Sequence, residues 1–446
     1  MTFQNSIAGG ARWRRLARTG WLWAALALAL VPAPALAVFN SGGTGANGAF
    51  PPVAVPSGTT GMVLDLRDGT LTFNPGGTTT QIPSTPAGGF IDGVLQFSSV
   101  TIPSGVTLSF VRNVSNTPVT MIVQTTALVD GTINLDGQAG GAGTGPSATG
   151  AGGLGGPGGF RGGSGELILG AGGGGAGLGP GGGIGGDVVS PSAEPGGGSY
   201  ASQASFRPGP IYGQPSLLPL VGGSGGGGAT AGNSIGTARG AGGGGGGGAI
   251  LIAATQLVRV DGAILARGGA RGSSAGAGSG GAIRLLSTEI QGTGSLDVDG
   301  GDSGTVRAGG LGRIRLEADL QQFAGTLTGV STASGPGLVM LPSEPAIAIT
   351  TVDGKAIPAN PGGALGQVDV IINSAGTKTI EFAASNVPVG TTISLTAKAE
   401  QDGPTVGPVI STALTGTTAS STATATLTFP KAGLFFLEAQ ATFNIP

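Results

Sequence analysis

The sequence predicts an all-β protein: a right-handed parallel β-helix (a solenoid of stacked coils) with a glycine-rich insertion, followed by an immunoglobulin-like β-sandwich. Three observations predict this class. Four segments with a similar strand pattern flank a block of concentrated glycine. Seven strand-like segments with Gly/Pro turns then fill residues 345–446. Finally, 95 of the 446 residues are glycine, against a usual share of about 7%.

The composition excludes several classes of protein. The chain has no cysteine and no histidine, so a disulfide framework, a Cys/His zinc site and a His-dependent hydrolase are ruled out. The glycines keep no sustained Gly-X-Y period, which argues against collagen. The positive mean hydropathy of +0.29 argues against simple disorder.

Residues 1–37 are predicted to be a secretory signal peptide. Four arginines precede the uncharged apolar run WLWAALALAL, and Ala35-Leu36-Ala37 provides a small-x-small cleavage site before Val38. The apolar run is shorter than the roughly 20 residues that span a bilayer, and no later segment is long enough. The mature chain is therefore expected to be exported, to the cell surface or the extracellular space with the periplasm as an alternative, and to have no membrane span.

Charge limits the partners of the mature chain. Loss of the four signal-peptide arginines leaves 16 Lys+Arg against 22 Asp+Glu, a net charge of −6. Nucleic acid is not expected as a partner of such a chain, because phosphate binding requires a basic footprint. Polysaccharide or other cell-surface components are the partners that we expect instead.

The solenoid is predicted over residues 38–136 and 249–340. Residues 118–137, 248–269, 281–301 and 312–329 each combine short apolar strands, a tight turn and a final strand that ends in glycine. Asp130-Gly131 and Asp261-Gly262 occupy equivalent turns, where glycine permits positive φ. Earlier strands are expected at Val94–Phe97, Val100–Ile102 and Val106–Phe110. A meander of β-hairpins is the alternative.

The glycine-rich block spans residues 137–248 and contains 48 of the 95 glycines. Its segment GGLGGPGG followed by Phe160 has a three-residue period that places Leu154, Pro157 and Phe160 on one edge. Such a period is typical of extended helices of the polyproline-II kind, which glycine allows to pack closely. The period fails elsewhere, so mobile loops extruded from one coil are the other hypothesis, and the one favoured at this point.

The sandwich is predicted over residues 345–446. Its strand candidates are Ala346–Val352, Val368–Ile372, Thr379–Ala384, Thr392–Ala399, Val409–Leu414, Thr422–Phe429 and Leu434–Ile445. Between Thr422 and Phe429, alanine, leucine and phenylalanine alternate with threonine, as in a strand with one buried face. The segment lacks the Cys pair and core Trp of antibody domains, so a cysteine-free type is expected.

The run from Phe97 to Asp136 and the motifs GGGGGGGAILIAA, GSGGAIRLLS and GGLGRIRLEA resemble a group of exported glycine-rich bacterial proteins. The resemblance covers about residues 90–330. It implies a pectin-lyase-like right-handed β-helix and a surface or matrix role. It offers no catalytic residues to transfer.

The densest acidic cluster is Asp297, Asp299 and Asp302. Asp297 and Asp299 are two residues apart on a strand and therefore share a side of it. Three hypotheses remain open: solvated turn acids, a calcium site, or the two carboxylates of a polysaccharide-active enzyme. The first is favoured, and the spacing of the cluster matches neither the EF-hand loop nor the Gly-Gly-x-Gly-x-Asp calcium repeat.

Two further groups of residues invite a functional hypothesis. Tyr200 and Tyr212 belong to the aromatic cluster of the glycine block and could stack on sugars, although pinning a loop is the commoner role. On the repeat strands, Arg284 and Arg313 are predicted to stack on adjacent coils beside Glu317 or Glu289 as an exposed charge ladder.

The sequence therefore favours an exported structural or adhesive protein that acts as a non-catalytic scaffold. The alternatives are a polysaccharide-active enzyme that uses Asp297, Asp299 and Asp302, and a carbohydrate-binding protein that uses Tyr200 and Tyr212. No cofactor is expected apart from the possible calcium ion.

Overall fold

The computed structural model describes residues 39–143, 149–167, 173–187, 194–231, 240–358, 361, 369–400 and 403–443. These residues form 25 β-strands and, within the described ranges, no helix. The prediction of an all-β chain with parallel sheets is confirmed. The predicted signal peptide, residues 1–37, lies outside the described residues.

Ten strands precede the glycine-rich block. They are β1 (Ala49–Phe50), β2 (Gly61–Asp65), β3 (Thr70–Asn74), β4 (Thr78–Gln81), β5 (Val94–Phe97), β6 (Ser99–Ile102), β7 (Thr107–Val111), β8 (Val119–Val123), β9 (Thr126–Val129) and β10 (Thr132–Asn134). The predicted strand Val94–Phe97 coincides with β5. The predictions for Val100–Ile102 and Val106–Phe110 agree with β6 and β7 to within one residue at each end.

Seven strands follow the block and form what we call the strand repeats (residues 249–334). They are β11 (Ala249–Val260), β12 (Ala263–Leu265), β13 (Ala282–Gly292), β14 (Ser295–Asp297), β15 (Arg313–Phe323), β16 (Thr326–Thr328) and β17 (Val330–Ser334). The chain alternates between two sheets: β11, β13, β15 and β17 are neighbours in one, and β12, β14 and β16 are neighbours in the other. All these pairs are parallel.

Aliphatic side chains hold the repeats together. Ile250 on β11 lies beside Ile283 on β13, which lies beside Ile314 on β15. All three are buried in one hydrophobic core that extends back to the N-terminal strands. Stacking equivalent residues on successive parallel strands thus removes a continuous apolar column from water.

The glycine-rich block leaves and re-enters the sheets between two neighbouring strands. β10 pairs with β12 in parallel, with Ile133 opposite Ile264, although residues 137–248 separate them in sequence. Likewise, β11 pairs with β8 and β9 on its other side. The block is therefore an insertion that does not interrupt the sheets.

Eight antiparallel strands complete the described chain: β18 (Ala346–Val352), β19 (Lys355–Ala356), β20 (Gly376–Ser385), β21 (Ile393–Ala399), β22 (Thr405–Ile410), β23 (Thr415–Thr417), β24 (Ser420–Phe429) and β25 (Phe435–Ala441). One sheet has the order β19-β18-β20-β24-β23 and the other β22-β21-β25. A single core with side chains from both sheets includes Phe382 and Leu395.

Six of these eight strands overlap predicted ones, whereas β19 and β23 were not predicted. In β24 the predicted alternation is confirmed, because Ala423, Ala425, Leu427 and Phe429 are buried while the threonines between them are exposed. The strand predicted over Val368–Ile372 is wrong where the structure describes it, since residues 369–372 belong to no strand. The segment Val409–Leu414 is a strand only as far as Ile410, where β22 ends.

Candidate functional site

The described parts of residues 137–248, which we call the glycine layers, are ordered by main-chain hydrogen bonds. Their centre is residues 240–248, the central segment. The N–H groups of consecutive residues in this segment donate to three different neighbouring segments in turn, and the order then repeats. Each neighbour therefore accepts a hydrogen bond from every third residue. Gly242 and Gly245 donate to residues 137–143, Gly243 and Gly246 to residues 159–166, and Gly244 and Gly247 to residues 275–281.

The carbonyl groups of the central segment follow the same rotation. They accept N–H groups from residues 149–156, 222–231 and 266–272. A three-residue period of this kind is the geometry of extended polyproline-II helices, which have no internal hydrogen bonds and must bond to their neighbours. The central segment is therefore surrounded by six other segments, and of the two hypotheses for the block the ordered one holds here.

Close main-chain packing excludes side chains from these positions. A Cβ atom added to Gly246 would lie 1.9 Å from the carbonyl oxygen of Gly223, and one added to Gly243 would lie 2.0 Å from that of Gly226. Real Cβ atoms essentially never approach a heavy atom within 3.0 Å. The unbroken run of glycine from 242 to 248 is thus a packing requirement.

Segments at the edge of the glycine layers tolerate side chains at every third residue. In residues 149–156, Ala151 and Leu154 are exposed. Gly150 and Gly153 alternate with them, and a Cβ on either would strike a carbonyl oxygen of residues 137–143. The interrupted glycine pattern therefore marks which positions face outward.

The predicted edge of Leu154, Pro157 and Phe160 is not formed. The chain turns after Gly156, where the N–H of Gly159 donates to the carbonyl of Gly156. Phe160 then begins a segment that runs in the opposite direction, with Gly162 bonded to Gly153 and Gly165 to Gly150. The three-residue period was identified, but the turn that ends it was missed.

The three acidic candidates do not converge on one point. Asp297 Oδ1 accepts the N–H of Asp299 at 3.0 Å, and Asp299 Oδ1 accepts the N–H of Gly300 at 2.8 Å. Asp302 instead accepts the N–H of Arg271 at 2.9 Å and forms an ion pair with that arginine. Among the residues that the structure describes, no group of three such side chains could hold a metal ion.

Asp297 nevertheless has an unusual environment. Partial burial raises the pKa of its carboxyl above the ordinary range of an aspartate, and the nearby carboxylates of Asp299 and Asp136 act in the same direction. The N–H of Asp299 and the guanidinium of Arg267 lower the pKa and offset part of this effect. Arg267 itself is held by Asp136, with 2.7 Å between Nη2 and Oδ2.

Tyr200 and Tyr212 pack against each other with ring centroids 4.6 Å apart. Tyr200 is only 1% exposed and contacts Leu217 and two alanines that begin β11 and β13. The Tyr212 hydroxyl donates to the carbonyl of Gly222 at 2.6 Å and accepts from Ser224 at 2.9 Å. Burial raises the pKa of both phenols. The pair fastens residues 200–222 onto the strands, and this geometry gives no support to sugar binding.

The expected arginine ladder is different in the structure. Arg284 lies opposite Arg315, not Arg313, and it is 1% exposed. Its Nε is 3.0 Å from Glu317 Oε1, and its terminal nitrogens donate to the carbonyls of Leu338 and Val339. The prediction of an exposed Arg284–Arg313 ladder was wrong, because the segment after β17 folds back over Arg284.

Sequence reasoning missed a second set of charges, in which Arg161, Lys398 and Glu400 are buried and Glu438 is partly exposed. They lie where the sheet formed by β21, β22 and β25 meets the glycine layers. The segment LTAKAE, which runs one residue past the end of β21, offered one signal, since a lysine and a glutamate accompany otherwise small and apolar residues. Nothing in the sequence indicated which segment they contact.

Comparisons with protein-family models, with curated proteins and with solved structures give no match for this chain. A search of the described ranges for a helix of sufficient length and apolarity to cross a membrane finds none.

Proposed function

We propose that this protein is an exported, non-catalytic structural or adhesive component of the cell surface or extracellular matrix. Its parallel strands would form a right-handed β-helix, and its antiparallel sheets an immunoglobulin-like sandwich. The proposal joins the sequence prediction of a signal peptide and of a glycine-rich surface protein to the architecture.

One observation supports the scaffold role most strongly. In the glycine layers the space between segments is filled by main chain, and the neighbours of Gly242 to Gly248 leave no room even for a Cβ atom. Close packing of this kind makes an interior rigid. A large part of the molecule is thus suited to keeping its shape and to presenting outward residues such as Leu154 at fixed spacing.

The buried charges also favour a structural role. Arg284 and Glu317 pair with each other and with the chain segment that covers them. Arg161 and Glu400 form a second buried pair, with side chains 7% and 4% exposed. These groups contact protein atoms of the fold, and we infer that they stabilise it and have no part in a reaction.

Export and adhesion can be tested on the producing cell. We expect the mature protein to begin at Val38 on N-terminal sequencing and to be accessible to antibody on intact cells. Deletion of its coding sequence is expected to reduce attachment to a polysaccharide-coated surface. An unprocessed chain found only inside the cell would contradict the proposal.

A polysaccharide-active enzyme is the second candidate, and the observation that favours it is the partly buried position of Asp297 near the carboxylates of Asp299 and Asp136, which raises the pKa of Asp297. We expect the purified protein to release no sugar from a panel of acidic and neutral polysaccharides. Release of sugar that is lost in Asp297→Asn and Asp299→Asn but kept in the surface control Asp319→Asn would instead assign catalysis to this site.

A further inference from the structure

The outer edge of the glycine layers meets the C-terminal sheet of β21, β22 and β25. At this edge lie residues 173–179 and 181–187, which we call the outer segments. Residues 173–179 bond to residues 159–166, 181–187 and 222–231. They therefore bond to three neighbouring segments, whereas the central segment bonds to six.

Charged side chains of the sheet occupy the exposed side of the outer segments. Lys398 Nζ donates to the carbonyl of Gly177 at 2.9 Å and to that of Gly179 at 3.2 Å. Glu438 Oε1 accepts the N–H of Gly179 at 2.6 Å, while its Oε2 lies 2.7 Å from Lys398 Nζ. Both main-chain groups of Gly179 are thus bonded by side chains of the sheet.

A second pair of charges fastens the next segment. Glu400 Oε1 accepts from Arg161 Nη2 at 2.5 Å and from the Ser164 hydroxyl at 2.7 Å. The Arg161 guanidinium lies 5.1 Å from the centre of the Phe436 ring, within the range of a cation–π contact. The contact between sheet and glycine layers is therefore both charged and buried.

The contact also requires glycine. A Cβ atom on Gly175 would lie 2.3 Å from the carbonyl oxygen of Glu400. Added bulk at this position would consequently push the sheet away from the outer segments. The sheet thus contacts the main chain at Gly175, Gly177 and Gly179, where no side chain separates them.

We propose that the sheet of β21, β22 and β25 is a recognition surface for glycine-rich segments, and that Lys398 and Glu438 hold the chain's own outer segments in order. Lys398 donates to main-chain carbonyl groups and Glu438 accepts a main-chain N–H. Within the layers, neighbouring glycine-rich segments provide these hydrogen bonds. The role differs from export or adhesion and does not depend on either.

The test is hydrogen exchange on the full mature chain. In Lys398→Met/Glu438→Gln, we expect amides of residues 173–187 to exchange at least about tenfold faster, because local opening sets their exchange rate. Amides of the central segment should keep their wild-type protection. The matched control is Lys378→Met/Glu381→Gln on β20, which removes the same charges from the other sheet and should change neither segment.

A second variant adds a single methyl group at the contact and tests the proposal independently. Gly175→Ala leaves every charge in place, and we expect it to accelerate exchange in the same residues while the central segment stays protected. Unchanged exchange of residues 173–187 in both variants would overturn the proposal. Equal acceleration of the outer and central segments would overturn it as well, because the sheet would then have no selective effect on the outer ones.

Discussion

The strand repeats and the glycine layers both pack extended segments closely together, but they fill the space between the segments in opposite ways. Both place extended segments side by side and satisfy their N–H and C=O groups on neighbours. The repeats fill the space between their sheets with side chains such as Ile283, whereas the layers remove side chains until main chain touches main chain. The difference teaches that dense packing can be reached by size-matched side chains or by omitting them.

The two means should respond differently to a change of one carbon atom. In the repeats, side chains of various size and shape share one core, so that a missing methyl group leaves a small cavity. At Gly242 to Gly248 the nearest neighbour of an added Cβ is a carbonyl oxygen of the main chain, which cannot turn aside as a side chain can. The predictions below probe this asymmetry.

Adding a methyl group at the centre of the layers should have the largest effect. We expect Gly246→Ala to lower the free energy of unfolding by at least about 3 kcal/mol, the upper end of usual overpacking effects, because the added Cβ meets the Gly223 carbonyl oxygen. Denaturant unfolding provides the measurement. Gly335→Ala is the control, since no heavy atom lies within 4 Å of its added Cβ. Equal midpoints for the two variants would refute the packing requirement.

Removing a methyl group from the repeats should have an intermediate effect. Ile283→Val is expected to lower the free energy of unfolding by about 1 kcal/mol, from lost burial and a small cavity. The same denaturant titration checks the value. A loss as great as that of Gly246→Ala would show that the two regions do not differ in tolerance, and the comparison would fail.

The smallest effects are expected from aspartate-to-asparagine substitutions, the first at Asp297, the last residue of β14. Because burial raises the pKa of Asp297, the folded state binds its proton more tightly than the unfolded state. The stabilisation is present below the ordinary pKa and is lost as pH rises through the raised value. Asp297→Asn should therefore raise Tm slightly at pH 7 and lose this gain at pH 3.

The same substitution at Asp65 should shift Tm at pH 7 in the opposite direction. The hydrogen-bonded Arg67 guanidinium lowers the pKa of Asp65, so its stabilisation is present above the ordinary pKa and lost as pH falls. We expect Asp65→Asn to lower Tm at pH 7. Tm shifts of the same sign for the two variants would contradict the assigned environments.

The repeats were predictable because their pattern is periodic in sequence. Strand propensity and equivalent turns place β11, β13 and β15 without further information, and alternation gives the buried face of β24. In β24 the two-residue alternation of apolar and polar side chains shows directly which face is buried.

The contacts of the glycine layers were not predictable in the same way. Glycine has no side chain to mark inside and outside, so the six neighbours of the central segment leave no pattern that distinguishes one from another. The main-chain acceptors of Arg284 and Lys398 were missed for a related reason, although Glu317 was predicted beside Arg284. Each contacts main-chain groups, and a main-chain acceptor has no sequence signature.

The absence of side chains in the layers has a thermal consequence. The heat capacity change of unfolding comes from newly hydrated apolar surface and is reduced by newly hydrated polar surface. Residues 240–248 expose mostly peptide groups when they unfold, so they add little to this change, whereas the aliphatic repeats add much. The stability of the layers should therefore vary more gently with temperature, and cooling should weaken them less than the hydrophobic core beside them.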